Sequence, residues 1–412
     1  MAVAIAPQPV APAPPAPAVP PDAPPAYEPF DPDYSRALVR DVIGPIAADY
    51  FRVKLLGADQ IPRRGPVILA ANHSGNAFPY DGIFVDAAMW QGDALDPGAK
   101  LRTVFEPELA AVWWMRPFGV DNFWRRCGGV DMTFDNFDRL LGRGDRVLYF
   151  PEGVPGIGKG WNRRYQLQPF KTSFVLLAAR HQAPVYPLHI INAEWVHPFG
   201  YTFPWLDRVF QRVFHVPFLP LPLGLLAILF PWIWYLAFPA KLVAVVGEPI
   251  DIVPLLAAEG ITDYDGPDRA ALKRVAERIR IRMQAELTTM VARHGQRPYD
   301  LRSLWRHLRG RWSILPWGWP AKFLRSDRDR HRPAPRNRLH TWLRDWDVLG
   351  FWLPAGWPLL SLTRAFRRPP YGYRGLSRAA RRERQGNFLW KLSERPLPTR
   401  QPPVRPAPTP VT

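Results

Sequence analysis

Between residues 30 and 295 the chain alternates short apolar runs with stretches of helical periodicity. Leu38, Val42 and Ile46 fall on one helical face, which predicts a helix within residues 30–60. Pro66-Val67-Ile68-Leu69-Ala70-Ala71 is an unbroken apolar run ending at Asn72-His73, the pattern of a buried strand. A helix is expected from Asp81, whose carboxylate can cap its first free amides. Arg146-Val147-Leu148-Tyr149-Phe150 reads as a second strand stopped by Pro151-Glu152-Gly153, and residues 169–180 read as a helix. Pro184 to Ile191 and Lys241 to Val246 read as further strands. Leu272, Val275, Ile279, Met283, Leu287 and Met290 recur at helical spacing across residues 268–294 and stop near Gly295. Strands alternating with helices predict an α/β domain, a mixed sheet flanked by helices, over residues 30–295.

The flanks follow other patterns. Residues 1–29 are almost wholly Ala, Pro and Val without a basic start, so a disordered, polyproline-like arm is expected there in place of a signal peptide. Residues 216–240 contain no charged residue and are long enough to be considered for a bilayer crossing. Prolines 217, 220, 222, 231 and 239 argue against one straight helix, so a re-entrant or interfacial apolar lobe is the expectation. Residues 348–363 are also uncharged, but shorter and broken by Pro354 and Pro358, which favours lying on a membrane over crossing it.

Composition adds an asymmetry. Of the net charge of +18, all resides in residues 301–412, which hold 24 Lys and Arg against 6 Asp and Glu. The preceding 300 residues are neutral, and the same tail carries 9 of the 18 tryptophans. Arginine with tryptophan suits an anionic membrane interface, and the 296–412 segment is expected to be a basic, membrane-interfacial extension. Nucleic acid would accept the same chemistry, since cations neutralise phosphates and aromatics stack on bases. A single cysteine, Cys127, excludes an internal disulfide framework and a cysteine-based zinc site, and fits a reducing compartment. It lies beside Arg125 and Arg126, where a thiol can be activated, although a lone cysteine is more often a packing residue.

The densest candidate chemistry is Asn72-His73-Ser74-Gly75-Asn76-Ala77-Phe78-Pro79-Tyr80-Asp81. A histidine leaving a buried strand and a carboxylate eight positions later supply a general base and its orienting partner. Fully extended, those steps would separate the pair by roughly 26–29 Å, so the loop must fold back, and Gly75, Asn76 and Pro79 favour turns. A surface histidine followed by a helix cap fits the same letters.

Further blocks resolve this. The segment resembles the glycerolipid acyltransferase family, which includes enzymes acylating lysophosphatidate and other lysolipids. The family's Asn-His block with a following Asp matches Asn72, His73 and Asp81. Its Phe-Pro-Glu-Gly run stands at Phe150, Pro151, Glu152 and Gly153, and its Val-x-Pro strand at Pro184-Val185-Tyr186-Pro187. A Gly-Gly-Val segment at 128–130 lies between, and Gly247-Glu248-Pro249-Ile250 resembles a common closing sequence. The resemblance covers about residues 50–255. Seven residues separate His73 from Asp81 where four are usual, which looks like the monoacylglycerol and diacylglycerol acyltransferase branch. Phe134 stands nearest the position where the family presents a phosphate-binding arginine, leaving Lys159, Arg163, Arg164 and Lys171 as candidate phosphate contacts, with solvated loop charge as the plainer reading of each.

The resemblance implies transfer of a fatty acyl group from an acyl thioester to a lipid hydroxyl. The co-substrate would be acyl coenzyme A or acyl carrier protein, with no bound cofactor and no metal. His73 would take the hydroxyl proton and Asp81 would orient it. Asn72, Ser74, Gly129, Val130, Phe150, Pro151, Glu152 and Gly153 would contact the acceptor. The expected partners are membrane lipids and the thioester donor, at the cytoplasmic face of a membrane, peripheral or monotopic. Three rival readings were weighed. Gly153 to Lys159 has the spacing of a phosphate-binding loop, but Gly160 stands where Ser or Thr is needed. Ala71-Asn72-His73 has a weak likeness to two-metal phosphoesterases, with His189 and His197 as further ligands. A catalytically degenerate protein binding membrane or nucleic acid through its tail is the non-enzymatic alternative.

Overall fold

The computed structural model describes residues 30–360 apart from 75–78, 107–119, 199, 204, 210–220, 265–267, 312–313, 324–336, 338 and 341–345. The arm at 1–29, the turn residues Gly75 and Asn76, residues 216–220 and the tail from 361 onward lie outside the described residues.

The sheet is mixed and flanked by helices on both faces. Its strands are β1 (Lys54–Leu56), β2 (Val67–Ala71), β3 (Arg102–Phe105), β4 (Val130–Asp131), β5 (Arg146–Tyr149), β6 (Val185–Ile191) and β9 (Val243–Val246), ordered β1-β9-β6-β2-β5-β3-β4. All neighbours are parallel except β6 and β9, so β9 and β1 run against the other five. A small second sheet pairs β7 (Gly200–Tyr201) with β8 (Leu221–Pro222).

Continuous apolar runs are what a sheet covered on both faces requires, because alternate side chains enter different cores. Val67, Leu69 and Ala71 face one core together with the 32–50 segment and helix Tyr80–Gly92; Ile68 and Ala70 face the other. That second core is closed by helices Phe134–Gly142, Ser173–Arg180 and Arg269–His294. Helix Arg269–His294 starts where Asp268 accepts from the amides of Ala270 and Ala271, and buries Leu272, Val275, Ile279, Met283 and Leu287.

Several sequence expectations are corrected. The helix anticipated within 30–60 ends by Tyr50, its later turns being π-helical (Val39–Ile43 and Ile46–Tyr50), and β1 follows. The helix expected at 169–180 begins at Ser173. Strands β1, β3 and β4, of two to four residues, were not anticipated, because so short a run has no period of its own. The boundary expected at 295/296 does not divide two packing units: Leu308, Ile314 and Trp319 join the first core, where the Trp319 ring packs on Tyr50, Phe51 and Tyr80. In the apolar segment, the longest described helix is the seven-residue Leu223–Leu229, followed by a 3₁₀ turn at Pro231–Tyr235. No helix among the described residues is long and apolar enough to cross a membrane.

Candidate active site

Parallel strands β2 and β5 lie side by side in register, Ala70 opposite Tyr149, so the segments leaving their carboxyl ends emerge together. One brings Asn72-His73-Ser74 and the other Phe150-Pro151-Glu152-Gly153. Carboxyl ends of strands are where open α/β sheets place ligands, since the loops there diverge from a rigid base.

Asn72 fixes the end of β2. Its side-chain amide donates to the Ile190 carbonyl (3.0 Å), and its side-chain oxygen accepts the Ile190 amide (2.7 Å), both wholly buried. This pair continues the β2–β6 ladder by one step through a side chain.

His73 is held from three directions. Its Nδ1 lies 3.2 Å from Asp81 Oδ2, and its ring stacks on Phe150 with centroids 3.9 Å apart and planes 9° from parallel. Its main-chain amide donates to Glu152 Oε1 (2.8 Å). Asp81 Oδ2 also accepts from the Ser74 amide and hydroxyl, each at 3.0 Å, while Oδ1 accepts the Gly82 amide at 2.9 Å. Burial alone would raise the Asp81 pKa, but the hydrogen bond and charge of His73, with the Gly82 and Ser74 amides, hold it below the ordinary carboxylate value. An ionised carboxylate can only accept, so Nδ1 carries the proton and Nε2 is left as the basic nitrogen. Asp81 thus sits in the first turn of helix Tyr80–Gly92, whose N-cap Pro79 makes no side-chain bond; the carboxylate caps only Gly82 and otherwise serves His73 and Ser74.

Glu152 is wholly buried, and its oxygens accept from the amides of His73 (2.8 Å) and Gln168 (2.7 Å). Asn72, Ser74 and Glu152, expected from sequence to contact the acceptor, are all buried and bonded internally: Asn72 to Ile190, Ser74 to Asp81 and Glu152 to the His73 amide. Gly153 takes φ +59° and ψ −146°, a backbone conformation that essentially only glycine adopts. The turn continues into Val154–Ile157, where a Cβ on Gly156 would lie 2.5 Å from the Glu152 Cβ and 3.0 Å from the His73 Cβ. Gly156 escaped the sequence reading, although three glycines within six residues of Glu152 (153, 156 and 158) were its trace.

Lys159 is also corrected. Neither a solvated loop charge nor presented to a phosphate, its side chain is wholly buried and its Nζ donates to the His73 carbonyl. Two carboxylates flank it, Glu152 Oε2 at 3.9 Å and Glu194 Oε1 at 3.7 Å. Glu194, at the 3₁₀ turn after β6, went unnoticed because nothing in its neighbours marks it as buried. Burial lifts its pKa from 4.5 to about 7, against the opposing charge of Lys159 and the amides of Glu194 and Tyr165.

The remaining candidates lie apart. Val130 is buried in edge strand β4, and Gly129 lines a largely apolar cleft with Val39, Ile43, Ile83, Trp90 and Phe123. Arg163 and Arg164 are half-buried, the latter over the Trp161 ring, and Lys171 is exposed. Burial pushes the Cys127 thiol up to about 12, which leaves it protonated and unreactive at neutral pH. His189 pairs with Glu286 and His197 Nε2 contacts the Leu236 carbonyl, so neither converges on His73. No group of three His, Cys, Asp or Glu among the described residues is arranged to hold a metal.

Residues 52–191 match the family model described as Acyltransferase. An uncharacterized protein of Mycobacterium tuberculosis is 32% identical over 243 residues, which is 58% of this chain and 62% of that protein. A Mycobacterium leprae counterpart, also uncharacterized, is 28% identical over 250 residues, 58% of this chain and 60% of its own. The chain thus matches about three-fifths of the length of these relatives. The crystal structure of the 1-acyl-sn-glycerophosphate (LPA) acyltransferase PlsC from Thermotoga maritima aligns with 61% of this chain and 80% of its own, at 18% identity and a TM-score of 0.34.

Proposed function

Because residues 52–191 match the family model described as Acyltransferase, we propose that the chain moves a fatty acyl group from an acyl thioester to a hydroxyl of a lysophospholipid or glycerolipid acceptor. The single observation that carries this reading is the His73–Asp81 pair, with Nδ1 tied to a buried carboxylate and Nε2 left basic.

In the reaction, Nε2 of His73 takes the acceptor's hydroxyl proton as its oxygen attacks the thioester carbonyl. The imidazolium is stabilised by Asp81, and its proton passes to the departing thiolate as the tetrahedral intermediate collapses. A thioester is already activated, so an oxygen nucleophile and a general base suffice. General-base catalysis contributes about 10²–10⁴-fold, and positioning of both substrates supplies the remainder. Stacking on Phe150 and the bonds from Glu152 and Asp81 leave His73 little rotational freedom, which supports a role needing fixed direction. The donor in this proposal is acyl coenzyme A or acyl carrier protein.

The acceptor would be met at a membrane surface. Leu225, Leu226, Ile228 and Leu229 of helix Leu223–Leu229 are exposed. The 346–360 segment joins them through the Ala355 amide to the Leu229 carbonyl (2.7 Å) and Trp357 Nε1 to the Ile228 carbonyl (2.8 Å). Leu349 and Leu353 add further exposed apolar surface on that segment. Such a grouped apolar surface fits docking without crossing, in the monotopic manner.

The test is incubation of the purified protein with labelled oleoyl coenzyme A and a panel of lysophosphatidate, other lysophospholipids and monoacylglycerol, followed by identification of the lipid product. His73→Ala is expected to abolish transfer while leaving the thermal unfolding midpoint near that of the native chain. Near-native turnover by folded His73→Ala would sink the proposal.

A further inference from the structure

We propose that Lys159 is a positioning residue for the acyl transfer, its buried ammonium fixing the main-chain carbonyl of His73 while Glu152 fixes the amide; this rests on His73 being the general base. The argument begins at the end of β2. Beyond Ala71 the ladder with β5 and β6 has finished, so the His73 peptide groups have lost their strand partners. Buried main-chain groups must still be bonded. Here both go to charged side chains from one turn: the N–H to Glu152 Oε1 at 2.8 Å and the C=O to Lys159 Nζ. The two clamping residues are themselves only 3.9 Å apart, so the histidine backbone is gripped by an ion pair.

Burying a lysine is costly unless its charge is compensated, and the compensation is present. Glu194 Oε1 stands 3.7 Å from Nζ, and it accepts the Tyr165 amide at 3.2 Å. The charged and titratable groups acting on this pocket are Lys159, Glu152, Glu194, Tyr165, His73 and Asp81, with Arg280 acting on Glu152 and Arg164 on Tyr165. Glu194 Oε2 has no hydrogen-bond partner, in keeping with a carboxyl that shares the Lys159 ammonium with Glu152. Gly156 allows the turn to lie this close, since its missing side chain is the space between Glu152 and His73.

A purely structural ion cluster would predict the same burial, so the test separates the two. Lys159→Met combined with Glu194→Gln removes one charge of each sign with little change of volume. Steady-state kinetics with oleoyl coenzyme A, and hydrogen–deuterium exchange of the peptide holding the His73 amide, are then compared with the native protein. A displacement on the order of 1 Å costs about 10²-fold in rate. The expected result is a fall in kcat of about tenfold or more, with KM for the thioester within about twofold, and faster exchange at His73. A folded double variant with native kcat and native exchange overturns the proposal. Should that variant fail to fold, Lys159→Gln, neutral and one bond shorter so that its amide falls short of the His73 carbonyl, is measured by the same two readouts with the same expected and overturning results. His73→Ala, assayed in parallel, reports on the base assignment separately. If it stays active, the exchange measurement alone decides whether Lys159 clamps the loop.

Discussion

Three donors converge on one oxygen, Asp81 Oδ2: His73 Nδ1 and the amide and hydroxyl of Ser74. An oxygen so saturated remains ionised, and an ionised acceptor dictates the imidazole tautomer. Asp81→Asn keeps the shape but offers a carboxamide, whose NH₂ can face Nδ1 and move the ring proton to Nε2. Its kcat is expected to fall by about 10²–10⁴-fold with the fold retained, checked by kinetics beside thermal unfolding. Glu194 makes a separate prediction. Its folded pKa is raised from 4.5 to about 7, so the native chain holds a proton that the unfolded chain has released. The contribution to stability is complete below pH 4.5, declines as pH rises to about 7, and is flat beyond. Glu194→Gln should make the denaturant midpoint less steeply dependent on pH across that window. An unchanged pH profile would show that Glu194 titrates elsewhere.

At the scale of elements, the site is the meeting of two strand ends and one turn. Adjacent parallel strands bring His73 and Glu152, 79 positions apart, within one hydrogen bond. The turn from Gly153 to Lys159 is shaped to reach under the histidine, and Gly156 is the residue that permits it. Gly156→Ala would force a methyl against the Glu152 and His73 Cβ atoms, neither of which is a yielding side-chain end. Overpacking of this kind costs about 1–3 kcal/mol. Both stability in chemical denaturation and turnover are expected to fall, and a fully active, native-stability Gly156→Ala protein would show that the turn has slack. The same turn explains why the letters Gly153 to Lys159 do not make a phosphate loop: their lysine points inward to a carbonyl.

For the molecule as a whole, the sheet is buried on both faces, and the exposed apolar residues include a group on the 223–229 helix and the 346–360 segment. Part of the basic tail serves the core, since Trp319 is wholly buried and Arg311 pairs with Asp49 at 2.5 Å. Trp305, Trp317 and Trp346 are exposed. On the proposed membrane docking, Leu226→Asp with Leu229→Asp should weaken flotation with anionic phosphatidylglycerol vesicles while leaving circular dichroism and thermal unfolding unchanged. Native flotation by that variant would move the contact away from this helix.

The sequence by itself determined the elements with strong periods and put forward His73 and Asp81 as the candidate reacting pair. Four apolar runs gave β2, β5, β6 and β9, and the long periodic helix stands at Arg269–His294, because period and caps are local properties. His73 and Asp81 stood out as a candidate base and its partner once the later Phe150-to-Gly153 and Pro184-to-Pro187 blocks completed the resemblance. What only the tertiary structure decided is where each remaining charge points. Lys159 and Glu194 look like ordinary polar residues in the chain, yet both are buried beneath His73. Asn72, Ser74 and Glu152 look like groups that meet a substrate, yet their side chains bond Ile190, Asp81 and the His73 and Gln168 amides. The reason is physical: burial and hydrogen bonding at a strand's end are set by which strands lie beside it, and that neighbourhood is assembled from residues up to 118 positions away.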